Sequence, residues 1–196
     1  MSAVRKLESN EKRRFTYADY CTWGDDERWE LIDGVPYAMA APTVRHQGVS
    51  GNIYLQIGNF LQRKKCRVFY APTDVRLNAD SWDNTVVQPD LLVVCDKSKI
   101  DEKGIIGAPD MVVEVLSPSS ASHDTIAKFM LYLKAKIREY WIVDPVSGNV
   151  VVNILEDGKY VATAYEKTEK APVTVLDGCF VDLTEVFLDE DSEIMK

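Results

Sequence analysis

Two acidic residues interrupt otherwise apolar segments of the sequence. Asp90 directly precedes the apolar run 91–94, and Glu114 lies inside the apolar run 112–116. Burying an isolated carboxylate is unfavourable by several kcal/mol unless it is paired or coordinated, so both acids require an explanation. Either they lie at strand edges or in salt bridges, or neighbouring strands bring them together and a divalent cation relieves their repulsion. A site made of oxygen ligands favours magnesium or manganese over zinc.

A lysine on the helix that is predicted to follow Glu114 is a third candidate. Asp124, Lys128 and Tyr132 recur every four residues and line the side of this helix opposite its apolar stripe. Asp124 and Lys128 could form an exposed ion pair, which would stabilise the helix by about 0.3–0.5 kcal/mol. Alternatively, this face points across the end of the sheet, where the Lys128 ammonium could hold an attacking water and offset phosphate charge. Tyr132 is expected to pack, with its hydroxyl at a polar boundary.

The histidines and cysteines are weaker candidates. His46 extends the apolar face of a predicted helix, which is typical of a core histidine, although its place near the helix start also allows a substrate-facing or water-binding role. His123 is expected to be a surface residue at a helix start. The cysteines are scattered singly, which argues against a zinc site and a disulfide framework, so small buried hydrophobic residues are predicted. They are Cys21, Cys66, Cys95 and Cys179.

Hydrophobic periodicity and turn residues define the elements that would position these side chains. A short helix is predicted over 15–20, followed by a hairpin over 28–37 that turns at an Asp-Gly pair and carries Glu30. A longer amphipathic helix, with His46 near its start, is predicted over 49–61. The hairpin and the two helices are the first third of the expected fold.

Strands alternate with one more helix in the remainder of the chain. Strand patterns are found at 67–77, 86–95, 110–116 and 139–144, and a helical stripe runs over 126–133. A strand, a helix and a strand in this order predict a right-handed crossover between parallel strands. Further short strands with Asp-Gly turns are predicted at 150–155, 160–164 and 173–176. The expected fold class is α/β, with a mixed β-sheet flanked by helices and an antiparallel β-rich C-terminal part.

Composition sets limits on the function. The 196 residues fit a single domain, expected over 15–187, with a flexible N-terminus over 1–14 and an acidic tail over 188–196. A formal net charge of −8 disfavours nonspecific coating of nucleic acid, because the only clear basic cluster is at 63–67. Neither a signal peptide nor an apolar run of about 20 residues is found, so a cytoplasmic protein without a membrane partner is expected.

Several of these segments, taken in order, resemble the Uma-two family of restriction endonucleases, which is assigned to the PD-(D/E)XK nuclease superfamily. The resemblance covers about residues 15–187 and depends on Pro89-Asp90, the segment 112–119, Lys128 and the segment 139–145. It implies a restriction-endonuclease-like fold and magnesium-dependent hydrolysis of DNA phosphodiester bonds, with 5′-phosphate and 3′-hydroxyl products. Manganese is a possible substitute, and a homodimer that cuts both strands is expected.

The resemblance also implies roles for individual residues. Asp90 and Glu114 resemble the acidic metal ligands of the superfamily, and the carbonyl of Val115 resembles a further ligand. Leu116 stands where the superfamily has its lysine, so Lys128 on the following helix is the candidate for that role. Glu30 resembles an acid that orients the lysine or assists a second metal. Accessory roles are assigned to three residues, His46, Asp124 and Tyr132.

Two other functions remain compatible with the sequence. A nuclease-like fold could serve as a catalytically silent binding or assembly module, which the acidic composition favours. The same ligands could also serve a metal-dependent hydrolase of a smaller phosphate ester. The sequence indicates no target site, because the side chains that would read bases cannot be identified without knowing which loop meets a groove.

Overall fold

A computed structural model describes residues 13–24, 27–79, 81–117 and 123–188, and in the segment 123–125 it describes the backbone only. The expectations of a flexible N-terminus and an acidic tail therefore fall mostly outside the described residues. Residues 13–14 are described, and the Arg13 side chain forms an ion pair with Asp19 at 3.3 Å. No helix in the described part is long and apolar enough to cross a membrane.

Three helices and thirteen strands make up the described part of the chain. The helices are α1 (Tyr17–Tyr20), α2 (Val44–Leu61) and α3 (His123–Lys134). The strands are β1 (Trp29–Ile32), β2 (Val35–Ala38), β3 (Arg67–Tyr70), β4 (Val75–Arg76), β5 (Val86–Val87), β6 (Leu91–Val94), β7 (Ile105–Ile106), β8 (Met111–Val115), β9 (Glu139–Asp144), β10 (Asn149–Glu156), β11 (Lys159–Tyr165), β12 (Lys170–Pro172) and β13 (Phe180–Asp182).

The central layer is a six-stranded mixed sheet in the order β11-β10-β9-β8-β6-β3. Its strands pair antiparallel except for β8 and β9, which are parallel and are separated in sequence by α3. This is the strand–helix–strand unit predicted from the sequence, because parallel neighbours need a long connection. The predicted hairpin over 150–155 and 160–164 is also confirmed, as β10 and β11.

Two smaller sheets complete the architecture. One has five short strands in the order β2-β1-β5-β4-β7, and β1 and β2 form the predicted hairpin. The other consists of β12 and β13. The chain passes between the five-stranded and six-stranded sheets five times. Two of the links, 71–74 and 88–90, touch where the Ala71 N–H donates to the Asp90 carbonyl at 3.0 Å.

The core lies on both faces of the central sheet because successive strand residues point to opposite faces. On one face, α2 contributes Ile53 and Ile57, which are fully buried against odd-numbered strand residues such as Leu91 and Val113. On the other face, α3 contributes Tyr132, which packs with even-numbered residues such as Val112. Helices on both faces of a mixed sheet confirm the predicted fold class.

Two predicted strands are each divided by a link that contains a proline. The segment 67–77 forms β3 and then β4 in the other sheet, and the segment 86–95 forms β5 and then β6. Pro72 and Pro89 lie in the links, and proline has no N–H to donate to a strand ladder. Strand-forming residues on both sides of each link concealed these breaks, so the prediction of two long strands is wrong.

The predicted strand at 173–176 is also wrong. These residues form turns after β12, with the Leu176 N–H donating to the Val173 carbonyl at 2.9 Å. Val173 and Leu176 are buried in the same core as α2. Their apolar character therefore reflects burial in a compact turn rather than strand pairing.

The prediction for the cysteines is wrong at three of the four positions. Cys66 and Cys95 form a disulfide across 29 residues of sequence, and Cys21 is exposed. Cys66 directly precedes β3 and Cys95 directly follows β6, and the register that pairs Arg67 with Val94 places the cysteines opposite each other. Only Cys179 is a free, buried cysteine, as predicted.

Candidate active site

Asp90 and Glu114 lie opposite each other at one end of the central sheet. The antiparallel pairing of β6 with β8 joins Leu91 to Val113, so the next pair in this register is Asp90 with Glu114. The Asp90 carboxylate also accepts a hydrogen bond from the N–H of Val115 at 2.8 Å. The structure therefore brings these two sequence-predicted acids together, and the Val115 N–H helps to orient the Asp90 carboxylate.

Lys128 projects from α3 into the same place and joins a second pair of predicted residues. Its Nζ lies 3.0 Å from an oxygen of Glu114 and 3.0 Å from an oxygen of Glu30. All three side chains are nearly buried, so these ion pairs are poorly screened by solvent. The polar face of α3 is thus directed toward the sheet, and the alternative of an exposed helix face is wrong for Lys128.

Tyr132 lies one helical turn after Lys128 and is fully buried. Its hydroxyl donates a hydrogen bond to the Glu114 oxygen Oε1, which is also the oxygen bound by Lys128. Its ring packs edge-on against Tyr140, with centroids 4.9 Å apart. The expected packing with a polar tip is confirmed, and the tip holds Glu114 in one orientation.

His46 reaches Asp90 from the opposite face of the sheet. Thr43 caps α2 and accepts a hydrogen bond from the His46 N–H, which places this histidine in the first turn. Its Nε2 lies 3.1 Å from the Asp90 carboxylate, and the side chain is 8% exposed. The Nδ1 atom is buried and has no hydrogen-bond partner among the described residues. His46 is therefore buried, as expected of a core histidine, but it contacts a candidate ligand.

The electrostatics of the cluster follow from burial and from the crowding of acids. Burial raises the pKa of Glu114 to about 7, against the opposing effect of Lys128, and the nearby Asp90 and Glu30 carboxylates raise it further. The hydrogen bond with Asp90 raises the pKa of His46 above its usual range, although burial opposes this shift. The cluster thus contains excess negative charge that an added cation would offset.

The donor set suits a hard divalent cation. In the described residues, no group of three or more His, Cys, Asp or Glu side chains is arranged to hold a metal ion. The Asp90 and Glu114 carboxylates are oxygen donors of the kind that magnesium prefers, as is the carbonyl of Val115, which the resemblance implies as a further ligand. Asp90 and Glu30 each raise the pKa of Glu114, and this repulsion between carboxylates is what a bound cation would relieve. Asp124 lies on α3, and its side chain is outside the described part.

Sequence reasoning missed Gln88, which connects the cluster to the five-stranded sheet. The Gln88 N–H donates to a Glu30 oxygen at 2.8 Å. Its side-chain amide donates to the Tyr20 hydroxyl at 3.1 Å and to the Asp74 carboxylate at 2.9 Å, and its amide oxygen accepts from Arg28. The only signal in the sequence is a polar residue between an apolar strand and Pro89.

A mixed sheet with helices on both faces is the architecture of a restriction-endonuclease-like fold. The sequence matches the Uma2 family, described as "Putative restriction endonuclease", over residues 16–184. Since this match covers most of the chain, the protein belongs to the Uma2 family.

Two other proteins are similar to this chain. The crystal structure of a protein from Anabaena variabilis, titled a "putative nuclease belonging to DUF820", superposes with a TM-score of 0.71 and covers 88% of this chain and 97% of its own. The two sequences are 19% identical, so the similarity establishes the shared fold. An uncharacterized protein of Synechocystis, slr1290, is 27% identical over 156 residues, which cover 78% of this chain and 80% of the relative.

Proposed function

We propose that this protein is a metal-dependent endonuclease that hydrolyses DNA phosphodiester bonds. The proposal depends chiefly on one observation: Asp90 and Glu114 are opposed in the sheet register, and the Lys128 ammonium lies 3.0 Å from Glu114. Membership of the Uma2 family supports nuclease chemistry for this site. The two opposed acids support a cation in the site, because their negative charges would otherwise repel a phosphate.

The oxygen donors of Asp90, Glu114 and Val115 would hold magnesium or manganese. When bound, the ion would polarise a phosphate oxygen and lower the pKa of a water molecule. Lys128 would donate a hydrogen bond to the attacking water and offset charge on the phosphate. Glu30 would keep Lys128 in place through their ion pair at 3.0 Å. In-line attack by the water would leave a 5′-phosphate and a 3′-hydroxyl.

His46 and Tyr132 would act as accessory residues that hold the two carboxylates. His46 contacts Asp90 at 3.1 Å, and the Tyr132 hydroxyl donates a hydrogen bond to Glu114. Holding both acids in fixed rotamers reduces the reorganisation needed to reach a reactive geometry. We extend the proposal to a homodimer, since two copies of the site would be needed to cut both strands of a duplex.

Cleavage of supercoiled plasmid DNA tests the proposal. We expect nicked and linear products with Mg²⁺ or Mn²⁺ and none in excess EDTA. Asp90→Asn should abolish cleavage because it removes a charge from the ligand set. Asp157→Asn is the matched control, since Asp157 lies in the β10–β11 turn and Asn tolerates its positive φ of 47°. Equal metal-dependent cleavage by the Asp90→Asn variant and the wild type would refute the assignment.

The alternative of a silent binding module has two observations in its favour. Lys128 is engaged by two carboxylates, and no three-residue group of metal-ligating side chains is found in the described segments. A magnesium titration followed by thermal unfolding separates the two functions. A working site predicts stabilisation of about 2.7 kcal/mol at a hundredfold excess over Kd, whereas a silent module predicts none. A small phosphodiester substrate, compared with plasmid DNA, tests for a hydrolase of smaller esters.

A further inference from the structure

Arg28 lies beside the candidate site and directly precedes β1, the strand that carries Glu30. The Met39 N–H donates to the Arg28 carbonyl at 2.9 Å, so the pairing of the β1–β2 hairpin extends to this residue. Residues two apart in an extended strand point to the same face and are separated by about 7 Å. Arg28 therefore projects on the same side as Glu30, which contacts Lys128.

A neutral amide holds the Arg28 guanidinium in place. Its Nε and Nη2 donate to the side-chain oxygen of Gln88 at 3.1 and 2.9 Å. Gln88 is itself 8% exposed and is fixed by Tyr20 and Asp74. Because a long side chain normally loses rotamer entropy when it binds a ligand, this arrangement prepares Arg28 for binding in advance.

Arg28 has donors that these contacts do not use. A guanidinium carries five N–H donors, and both bonds to Gln88 end on one uncharged oxygen. In the part of the chain that the structure describes, Arg28 forms no ion pair with a carboxylate. The basic cluster at 63–67 precedes and enters β3 near Val94, at the opposite end of β6 from Asp90. It is therefore not placed to neutralise a phosphate at the candidate site.

We propose that Arg28 binds a phosphate of the DNA strand adjacent to the scissile phosphate, and that Gln88 positions it to do so. This inference rests on the proposed function. A planar guanidinium binds phosphate through paired, charge-assisted hydrogen bonds. The Arg28 and Glu30 side chains both bind Gln88, so the guanidinium lies next to the cluster that contains Lys128. Arg28 thus supplies the fixed positive charge that an acidic chain needs near its metal ligands to hold a polyanion.

Three variants test this role in assays of DNA cleavage and DNA binding. Arg28→Met should raise KM about tenfold or more and change kcat little, since it removes a substrate contact made equally before and during reaction. It should also reduce the slope of log affinity against log salt by about 0.9, the value for one phosphate contact. Arg28→Lys should keep the wild-type salt slope but only part of the affinity, because lysine keeps the positive charge and cannot form the paired hydrogen bonds of a guanidinium.

Arg138→Met is the matched control. Arg138 is exposed and pairs with Asp110 at 3.0 Å at the start of β8, the end of the strand opposite Glu114. Its loss should leave the KM and the salt slope unchanged. A purely structural role for Arg28 would alter melting temperature and kcat without moving the salt slope.

The outcomes separate the two proposals. If the wild type cleaves DNA and Arg28→Met retains the wild-type KM and salt slope, this inference is wrong and the proposed function stands. If the wild type neither binds nor cleaves DNA, both fail. Should Arg28→Met not fold, Arg28→Lys decides. If that variant has the affinity and the salt slope of the wild type and an unchanged KM for a short single-stranded substrate, the paired hydrogen bonds of the guanidinium have no role and the inference is wrong.

Discussion

Replacing Glu114 by Gln should change how the stability of the metal-free protein depends on pH. The pKa of Glu114 is raised from 4.5 to about 7, mainly by burial. Between these values the folded protein retains a proton that the unfolded chain releases. The free energy of unfolding of the wild type should therefore fall as pH rises from about 4.5 to 7 and stay constant above 7, as far as this group is concerned.

The size of the effect follows from the displacement of the pKa. One pKa unit corresponds to about 1.4 kcal/mol. Because the effect ends near pH 7, about two units of it lie between pH 5 and 8, and the free energy of unfolding of the wild type should fall by between about 2 and 3 kcal/mol over this range. Glutamine is isosteric and can still accept hydrogen bonds from Lys128 and Tyr132, so packing is preserved. Glu114→Gln should thus gain stability relative to the wild type by this amount as pH rises, and other titrating groups cancel in the comparison.

Urea denaturation in EDTA at half-unit intervals from pH 5 to 8 measures this difference. Glu102→Gln, which removes an exposed carboxylate, is the matched control and should show no comparable trend. A stability difference between Glu114→Gln and the wild type that stays constant within about 0.5 kcal/mol across this range would refute the reasoning, because the burial of Glu114 would then carry no penalty on its charge.

Three further outcomes are expected from urea denaturation. Lys128→Met should destabilise the protein by about 3–5 kcal/mol, because two buried carboxylates lose their shared cation, and a loss below 1 kcal/mol would contradict burial of that pair. Tyr132→Phe should cost about 1–3 kcal/mol and raise the pKa of Glu114, detectable as an upward shift of its titration. Cys66→Ser combined with Cys95→Ser should cost about 3–4 kcal/mol for the 29-residue separation, and a reductant should affect only the wild type.

The opposition of Asp90 and Glu114 could be predicted from the sequence because each acid interrupts an apolar run. Burying each carboxylate alone would be unfavourable, and a single site that contains both explains their positions. The position of Lys128 was less constrained, since its spacing fits an exposed ion pair as well as a site. Only the packing of α3 on the sheet decides between these, through the burial of Tyr132 one turn later.

The small five-stranded sheet could not be predicted from hydrophobic periodicity. Strands β4, β5 and β7 have two residues each, which is too short to display a period. They are defined instead by their pairing with β1 and with one another. Sequence patterns therefore joined β4 and β5 to longer neighbours, left β7 out, and missed the second sheet.

The disulfide illustrates a different limit. The separation of Cys66 and Cys95 in sequence contains no information about the register of the strands beside them. Their pairing depends on the alignment of β3 with β6, and shifting that register by one residue would direct the two side chains to different faces. Cysteine spacing alone could support neither a bridge nor its absence.

The link at 88–90 determines the geometry of the candidate site because it joins a strand of one sheet to a strand of the other. Its first residue, Gln88, binds Glu30 in the five-stranded sheet through its N–H, and its last, Asp90, faces Glu114 in the six-stranded sheet. Lys128, on α3, binds both Glu30 and Glu114 and so connects the acids on the two sides of this link. Lengthening the link by one residue would turn Asp90 away from Glu114 while leaving both sheets able to form. The precision of the site therefore depends on three residues that periodicity assigned to an uninterrupted strand.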